Sequence, residues 1–367
     1  MLPEIILVVA NSARMAAQLA HQAGVKALVI DCFADCDTQA VATAFIKIPS
    51  LALAALQPAV EYFIARYAVT DVLYGSGFEC YPESLNYLHS RLKLLGNPPD
   101  TFKKLSDKQA FFGLLDYLGV PYPISQFSPP AATEGWLVKP MQGQGGAGIT
   151  CYRAGHQHQA GNYYQRLQKG TAHSVLFLAD GQNFCVVAFN KQWTVALGAD
   201  QAFAFAGVST LADVPPDQQM QVRGWLAKLV PALSLQGLNS LDFICDGEHI
   251  YLLEINPRLS ASLQLYAGNW LAHHVNALNG VLPHAIFKHM GYAAYQIIYA
   301  DEDVQIPENF CWLQPCCDMP PAGVLIRKGQ PICSIIAHQA NAGLLMQAID
   351  SLQYNLLKGL YHHGIYR

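Results

Sequence analysis

Residues 240–258 constrain the fold more than any other segment, because they place acidic residues inside two apolar strands. The two apolar runs flank Asp246-Gly247, which is a strong signal for the turn of a hairpin. Asp242 lies in the first run and Glu254 lies in the second. The segment therefore predicts an antiparallel hairpin that carries one carboxylate on each strand, and the fold must supply a partner for both charges.

The relative orientation of these side chains follows from the period of a strand. Glu254 and Asn256 are two residues apart and share a face. Asp242 joins that face only if the connection is odd in length, so we expect a three-residue loop or a bulge. The two acids would then be diagonal cross-strand neighbours, roughly 7–8 Å apart at the backbone. Two carboxylates and an amide are oxygen ligands suited to Mg²⁺, or Mn²⁺, and Arg258 would add a positive fork for phosphate or carboxylate. An edge hairpin with solvated acids is the alternative.

The composition of the chain excludes several classes of function. Of the 367 residues, 52% are hydrophobic and 13% are charged, so a large core is easily built. The net charge of -4 argues against nucleic acid as a partner, and no apolar run is long enough to span a membrane. The first residues lack the basic region of a signal peptide. The 10 cysteines form no CxxC pair, which favours reduced thiols and a cytoplasmic protein. Small molecules are the expected partners, and a homodimer is a further option.

Residues 1–97 alternate short apolar strands with helices, a pattern that implies a parallel sheet. The turn after the first strand, residues 10–14, lacks the GxGxxG sequence, so dinucleotide binding is not expected. Open sheets bind ligands at the carboxyl ends of their strands. The residues at these ends are Ser12, Arg14, Asp31, Phe33, Asp35, Gly75, Ser76, Gly77 and Glu79. A substrate role for some of them is a hypothesis, and ordinary turn chemistry is the alternative.

A glycine-rich loop at residues 141–149 lies between two predicted strands, the first of which ends at Lys139. Glycines let backbone N–H groups close around phosphate oxygens, and a lysine adds a point charge for the same phosphates. The loop is not a P-loop, because GKS or GKT is missing and a strand follows it. Its glycines are Gly143, Gly145, Gly146 and Gly148. Upstream, Ser106 or Asp107 is expected to cap a helix over residues 109–118.

These elements occur in a fixed order along the chain. The set consists of Asp107-Lys108, residues 137–140 with the glycine loop, and Asp242 followed by residues 254–258. It resembles the ATP-grasp superfamily, and it is most similar to the carboligase-like branch related to biotin carboxylase. Order, spacing and residue type agree over roughly residues 100–290, and the flanking parts are also similar to that family.

The resemblance implies a fold that is α/β and α+β, with a Rossmann-like pre-ATP-grasp domain followed by a two-subdomain ATP-grasp fold. The expected domains are the pre-ATP-grasp domain at 1–97, the ATP-grasp domain at 98–290 and a C-terminal module at 291–367 that packs on it. Within the second domain, the small subdomain would cover about 98–170 and the large subdomain about 171–290.

The resemblance also implies how ATP would be held. Lys108 and Lys139 would contact its phosphates, and the four glycines of the loop would form a flexible lid over them. The hinge that recognises adenine would be Gln165, Arg166 and Leu167, with Gln165 where the family usually has Glu. His173 lies where some relatives contact the ribose.

The same resemblance assigns the metal and the reacting group. Asp242, Glu254 and Asn256 would hold Mg²⁺ or Mn²⁺. Arg258 would steady the reacting carboxyl or phosphoryl group, with Lys139 as the second catalytic residue.

The implied activity is ATP-dependent ligation of a small-molecule carboxylate to an amine or a thiol through an acyl phosphate, with ADP and phosphate as products. An amino-acid ligase of cofactor biosynthesis is one candidate. A bicarbonate-dependent carboxylase that forms carboxyphosphate is the first alternative. A non-catalytic ATP-binding protein is the second.

Overall fold

The computed structural model describes residues 2–153, 155, 159–198, 201–284 and 291–362. Its N-terminal strands are β1 (Ile5–Val9), β2 (Lys26–Asp31), β3 (Ala44–Lys47), β4 (Asp71–Tyr74) and β5 (Lys93–Leu95). They form a parallel sheet in the order β3-β2-β1-β4-β5. The helices of this part are α1 (Arg14–Gln22), α2 (Cys36–Val41), α3 (Leu53–Tyr67) and α4 (Pro82–Arg91), and a short 3₁₀ helix covers Phe78–Cys80. This confirms the predicted α/β unit.

The central strand β1 is apolar throughout because the sheet is covered on both faces. Ile6 and Val8 pack into a core shared with α1, whereas Leu7 and Val9 pack into a core beneath α3 and α4. Strands buried on both faces are typical of parallel sheets. The loops that follow the strands therefore gather at one edge of the sheet, which is where the sequence predicts them.

A smaller antiparallel sheet follows two helices, α5 (Pro99–Ser106) and α6 (Lys108–Leu118). Its strands are β6 (Ser125–Gln126), β7 (Trp136–Pro140), β8 (Thr150–Cys151) and β9 (Asn162–Arg166). They pair in the order β6-β9-β7-β8. The Asp107 side chain accepts a hydrogen bond from the Ala110 N–H at 3.0 Å, so Asp107 rather than Ser106 caps α6.

Most of the remaining strands form the largest sheet, which is antiparallel. Its strands are β10 (Thr171–Asp180), β11 (Phe184–Val195), β12 (Ala204–Ser209), β13 (Gln236–Cys245), β14 (Ile250–Asn256), β15 (Tyr292–Tyr299), β17 (Cys316–Cys317) and β19 (Pro331–Gln339). They pair in the order β14-β13-β10-β11-β12-β15-β19-β17. The helices are α7 (Pro216–Leu233), α8 (Trp270–Leu278) and α9 (Ala342–His362), with a 3₁₀ helix at Ala261–Leu265. The short strands β16 (Val304–Gln305) and β18 (Leu325–Ile326) pair separately.

The predicted hairpin is present as β13 and β14, with a bulge near its acids. Cys245 pairs with Ile250, so the connection is four residues long. The register shifts by one residue between Asp242 and Phe243, and Asp242 then pairs with Glu254. The odd connection is therefore made by a bulge, one of the two predicted forms. The diagonal arrangement was wrong, because the acids are directly opposite, a separation of roughly 4.5–5.5 Å between Cα atoms.

Strand pairing crosses one of the predicted domain boundaries, and side-chain hydrogen bonds cross another. β15 pairs with β12, so the largest sheet continues beyond residue 291. The Asn97 side chain is buried and donates to the carbonyl oxygens of Gln236 and Pro257, each at 3.0 Å. The boundaries at 97 and 290 stay predictions. Within the residues that the structure describes, no helix combines the length and the apolar character needed to cross a membrane.

Candidate active site

Asp242 and Glu254 form a close pair of carboxylates on one face of the hairpin. The bulge brings them onto that face, because without the shift Asp242 would pair with Leu253. Burial, followed by the charge of the neighbouring Glu254 carboxylate, raises the pKa of Asp242 well above its ordinary value. Two adjacent carboxylates with little access to water need either a shared proton or a cation between them.

Two amide side chains and one arginine surround this pair. Asn256 donates from Nδ2 to Asp242 Oδ2 at 3.1 Å, and Gln192 donates from Nε2 to Asp242 Oδ1 at 3.3 Å. Arg258 donates from Nη2 to Asn256 Oδ1 at 3.1 Å. The donors orient Asp242, but they do not neutralise the two negative charges.

The donor set fits a hard divalent cation. Among the described residues, no group of three or more His, Cys, Asp or Glu side chains is arranged to hold a metal ion. The oxygen ligands that could hold the cation would be the carboxylates of Asp242 and Glu254 and the amide oxygen of Asn256, which here accepts a hydrogen bond from Arg258. Mg²⁺ commonly binds through one or two carboxylates and completes its octahedral shell with water and substrate phosphates.

Arg258 connects the hairpin to the N-terminal sheet. It donates from Nε to Glu79 Oε1 at 2.6 Å, and Glu79 Oε2 accepts the Gly77 N–H at 3.0 Å. Burial opposes the charge of Arg258, but the carboxylates of Glu79, Glu254 and Asp242 together outweigh it, so the pKa of Arg258 is raised. The guanidinium is therefore fixed in position and charged at any physiological pH.

Lys139 approaches the carboxylate pair from the small sheet. Its Nζ donates to Gln165 Oε1 at 3.0 Å and lies 5.8 Å from the centre of the Tyr163 ring. Burial lowers the pKa of Lys139, and the charge of Glu254 partly offsets this. Burial likewise raises the pKa of Tyr163, which also responds to the charges of Lys108 and Glu254. Lys139 and Glu254 are therefore close enough to interact electrostatically, and Lys108 lies near Tyr163.

The other residues predicted to bind the nucleotide form hydrogen bonds to carbonyl groups of the protein itself. Lys108 donates from Nζ to the Leu105 carbonyl oxygen at 3.1 Å. The backbone N–H of Arg166 donates to the Ile124 carbonyl at 2.7 Å, and that of Leu167 donates to the Gly135 carbonyl at 2.8 Å. An adenine contact through these two N–H groups would compete with the existing bonds. Their carbonyl oxygens are the groups that an adenine amino group could use.

The glycine loop lies against the start of β12. Phe205 donates its backbone N–H to the Gly145 carbonyl at 2.9 Å. Gly146 has a positive φ of 77°, and a Cβ at this position would overlap the Phe203 carbonyl oxygen. The loop therefore requires glycine at 146 for two separate reasons, its backbone conformation and its close approach to β12. Gly143 and Gly148 instead lie beside the ring of Pro140.

A cavity of about 640 Å³ joins the hairpin, the glycine loop and the N-terminal sheet. At one end it is lined by Asp242, Glu254, Asn256 and Arg258, with Gln144 and Gly145 of the loop beside them. At the other end it reaches the strand-end loops of the N-terminal sheet. Of the residues that the structure describes, neither predicted lysine lines this cavity.

A family model for the ATP-grasp domain matches residues 105–262. The chain contains an ATP-grasp domain. A curated relative, the carbamoyl phosphate synthase large chain of Thermus thermophilus, is 26% identical over 199 residues, which are 47% of this chain and 19% of the relative. This chain thus spans about a fifth of the length of that relative.

Solved structures show the same fold over nearly the whole chain. The biotin carboxylase domain of Hydrogenobacter thermophilus 2-oxoglutarate carboxylase, a dimer in complex with MgADP, ADP and bicarbonate, superposes with a TM-score of 0.74. It is 12% identical, and the match covers 94% of this chain and 89% of that one. The L-amino acid ligase of Bacillus licheniformis gives a TM-score of 0.72 at 14% identity, covering 97% and 98%.

The ATP-grasp domain brings most of the predicted site residues together, but His173 faces away from them. On β10, Ser174 pairs with Asp242 and His173 pairs with Phe243, so the imidazole lies on the opposite face of the sheet. It stacks on Phe243 and is 3.0 Å from Asp213 Oδ1 through Nε2. The ribose contact expected for His173 stays a prediction.

Two contacts of the ATP-grasp domain were not predicted from the sequence. Gln192, which donates to Asp242, follows two other polar residues, Asn190 and Lys191, on β11, so the sequence does not single it out. The partnership of Arg258 with Glu79 joins residues 179 positions apart, and no local pattern indicates it.

Proposed function

We propose that this protein is an ATP-dependent ligase that activates a small-molecule carboxylate as an acyl phosphate and transfers it to an amine or a thiol. The observation that carries the proposal is the carboxylate pair Asp242 and Glu254, which faces one cavity together with Arg258 and the glycine loop. Phosphoryl transfer needs positioning and neutralisation of charge more than it needs a general base. The site has acids for a metal, fixed cations and backbone N–H groups.

In this proposal the nucleotide lies between the small sheet and the largest sheet. Lys108 and Lys139 would bind its phosphates. Gly143, Gly145, Gly146 and Gly148 would cover them. Gln165 would stay bonded to Lys139, and the carbonyl groups of Arg166 and Leu167 would face adenine.

Asp242, Glu254 and Asn256 would hold Mg²⁺ or Mn²⁺. When bound, the metal would neutralise charge on the β- and γ-phosphates. Arg258 would bind the substrate carboxylate and hold it in line with the γ-phosphorus. A carboxylate oxygen bonds to the γ-phosphorus, the bond to the bridging oxygen breaks, and ADP leaves. The nucleophile then bonds to the acyl carbon, loses its proton, and phosphate leaves.

An enzyme assay separates this function from its alternatives. ADP formation is measured with Mg-ATP and a panel of amino acids, with and without bicarbonate. We expect ADP formation to require an amino acid and to continue without bicarbonate. A requirement for bicarbonate would instead support the carboxylase, and tight ATP binding without turnover would support a non-catalytic protein.

A matched pair of variants tests the carboxylate site. Glu254→Gln should lower kcat by about a hundredfold, because a charge that acts in the transition state is lost. Glu248→Gln changes an exposed acid in the turn of the same hairpin and should leave kcat unchanged. Equal activity of the two variants would contradict the proposed role of Glu254. A cytoplasmic location and a homodimer stay predictions.

A further inference from the structure

The end of the cavity away from the hairpin carries a second group of acids. Asp31 is the last residue of β2, Asp35 and Asp37 follow that strand, and Asp318 approaches them from the C-terminal part of the chain. Asp35 and Asp318 line the cavity, together with Ser12, Arg14 and Ser76. The proposed function assigns none of these residues a role.

Three of the four acids have partners within the protein. Asp31 accepts backbone N–H groups of Ala34 at 2.9 Å and of Phe33 at 3.1 Å. Asp37 accepts the N–H groups of Asp318 and Met319, at 3.0 and 3.1 Å. These bonds fix the loops, so the acids concerned have structural roles.

Asp318 is paired with the buried arginine of this region. Arg14 donates from Nε to Asp318 Oδ1 at 2.6 Å, and Tyr295 donates its hydroxyl to Asp318 Oδ2 at 3.3 Å. Arg14 also donates to the side chains of Gln18 and Gln264. Its Nε also lies 3.7 Å from Asp37 Oδ2. The guanidinium is therefore shared between two carboxylates, and its hydrogen bonds go to groups other than Asp35.

Asp35 differs from the other three acids. Asp35 is only 4% exposed, yet its carboxylate accepts no hydrogen bond from the residues that the structure describes. It stands at the N-cap position of the short helix α2 without capping it. Because Asp35 lines the cavity, its free carboxylate can be reached from there. A buried carboxylate without donors is costly unless a cation meets it.

We propose that Asp35 binds a protonated amino group of the substrate, so that the carboxylate which this enzyme activates belongs to an amino acid. The inference rests on the proposed function, since it places the reacting carboxylate at Arg258 at the other end of the cavity. The amine that attacks the acyl phosphate must be neutral and must reach that same end. The cation at Asp35 is therefore a non-reacting ammonium group.

The charge balance around Asp35 supports a cationic ligand. Burial, followed by repulsion from Asp318, Asp31 and Asp37, raises the pKa of Asp35 to about 8, and Arg14 only partly offsets this. An ammonium group would supply the missing positive charge. At pH 7 its binding should release a proton from Asp35, which calorimetry in buffers of different ionisation enthalpy detects.

The test compares amino acids with the same acids lacking the amino group. The pairs are L-glutamate with glutarate and 4-aminobutanoate with butanoate, and the remaining protein amino acids complete the panel. Binding is measured by calorimetry and ADP formation is measured in the same samples. We expect at least one amino acid to bind about tenfold or more tightly than its partner, because one charged hydrogen bond distinguishes them.

The variant Asp35→Asn keeps the shape of the side chain and should abolish this preference, while Asp100→Asn, an exposed acid on α5, should retain it. Asp35→Ser also removes the carboxylate. A thermal melt of this variant shows whether a lost preference comes from the missing binding group or from unfolding. The inference is overturned if no amino acid binds more tightly than its partner, or if Asp35→Asn keeps the preference. In that case, ADP formation with the deaminated acids would still support the proposed ligase activity. Selective binding without ADP formation would overturn the ligase and retain the ammonium site.

Discussion

Arg258 donates from Nε to Glu79 Oε1 at 2.6 Å, and this ion pair joins the end of the hairpin to the N-terminal sheet. Both side chains are mostly buried, with 12% and 17% of their surfaces exposed. Glu79→Ala would leave the Arg258 guanidinium buried with too few partners, so we expect the free energy of unfolding to fall by about 3 kcal/mol. Chemical denaturation measures this.

The pair of Lys26 and Glu4 is a suitable control, because both of its side chains are exposed. Glu4→Ala should leave the unfolding midpoint unchanged. If Glu79→Ala were equally harmless, Arg258 would not depend on Glu79 for its place in the site.

The glycine loop gives a second prediction. Gly146→Ala introduces a Cβ that overlaps the Phe203 carbonyl oxygen, whereas a Cβ at Gly145 meets no atom within 4 Å. Both residues have positive φ, so the backbone strain is comparable. We therefore expect Gly146→Ala to raise the KM for ATP by about tenfold or more, since the loop can no longer lie on β12. Gly145→Ala should have a smaller effect, and equal values would argue against this docking.

The hairpin was predictable because its acids, turn and terminal proline are local signals. The odd connection was also predictable, since Asp242 and Glu254 can share a face in no other way. The position of the bulge was not, because a longer turn and a one-residue shift satisfy the same parity. The sequence contains no feature that selects Asp242 and Phe243 as the place where the register changes.

Proline makes the helix boundaries of this chain hard to locate from the sequence. Pro58 lies inside α3, although proline usually ends or kinks a helix. Pro99 occupies the first turn of α5, where its missing N–H costs nothing. The edge strands β3 and β5 have only four and three residues, so they carry little periodic signal in the sequence.

In the candidate site, motifs identify some residues, but they do not identify contacts between distant positions. Residues assigned from ordered motifs, such as Lys139 and Glu254, lie near each other in the fold. Contacts such as Arg14 with Asp318 join positions 304 residues apart, and the sequence alone gives no reason to pair them. The face of the sheet on which His173 lies depends on the register of β10, because a shift of one residue reverses the direction of a side chain.

The buried His274 predicts a pH dependence of stability. Its Nδ1 accepts the Leu238 N–H at 2.8 Å and its Nε2 lies 3.0 Å from the Leu95 carbonyl oxygen, so the ring is neutral. Burial lowers the pKa of His274 from 6.5 to about 4. In the unfolded chain the ring takes up a proton as the pH falls through 6.5, whereas in the folded protein it does so only near 4. The contribution to stability is therefore complete above 6.5 and is lost as the pH falls toward 4.

We expect the free energy of unfolding to be lower at pH 5 than at pH 7 by on the order of 2 kcal/mol because of this residue. The variant His274→Gln has a donor and an acceptor but does not titrate, so its stability should change less over the same range. Denaturation of both proteins at several pH values measures the difference. Parallel curves for the two would show that His274 does not cause the loss.

The last prediction concerns Asn97, which joins the N-terminal sheet to the largest sheet. Its Nδ2 donates to Asn239 Oδ1 at 2.8 Å and to the Pro257 carbonyl at 3.0 Å, while its Oδ1 accepts the Gln236 N–H at 2.7 Å. Asn97→Asp removes both donors and turns a carboxylate toward these oxygens. We expect it to cost about 3 kcal/mol or more, because the buried oxygen that replaces Nδ2 would face acceptors only.

Asn309→Asp makes the same change at an exposed residue and should alter the unfolding midpoint little. Since Pro257 adjoins Arg258, a weakened junction should also move the guanidinium relative to the cavity. Asn97→Asp should therefore raise the KM for the carboxylate substrate more than the KM for ATP. If both constants stayed at their original values while stability fell, the junction would hold the fold without positioning the site.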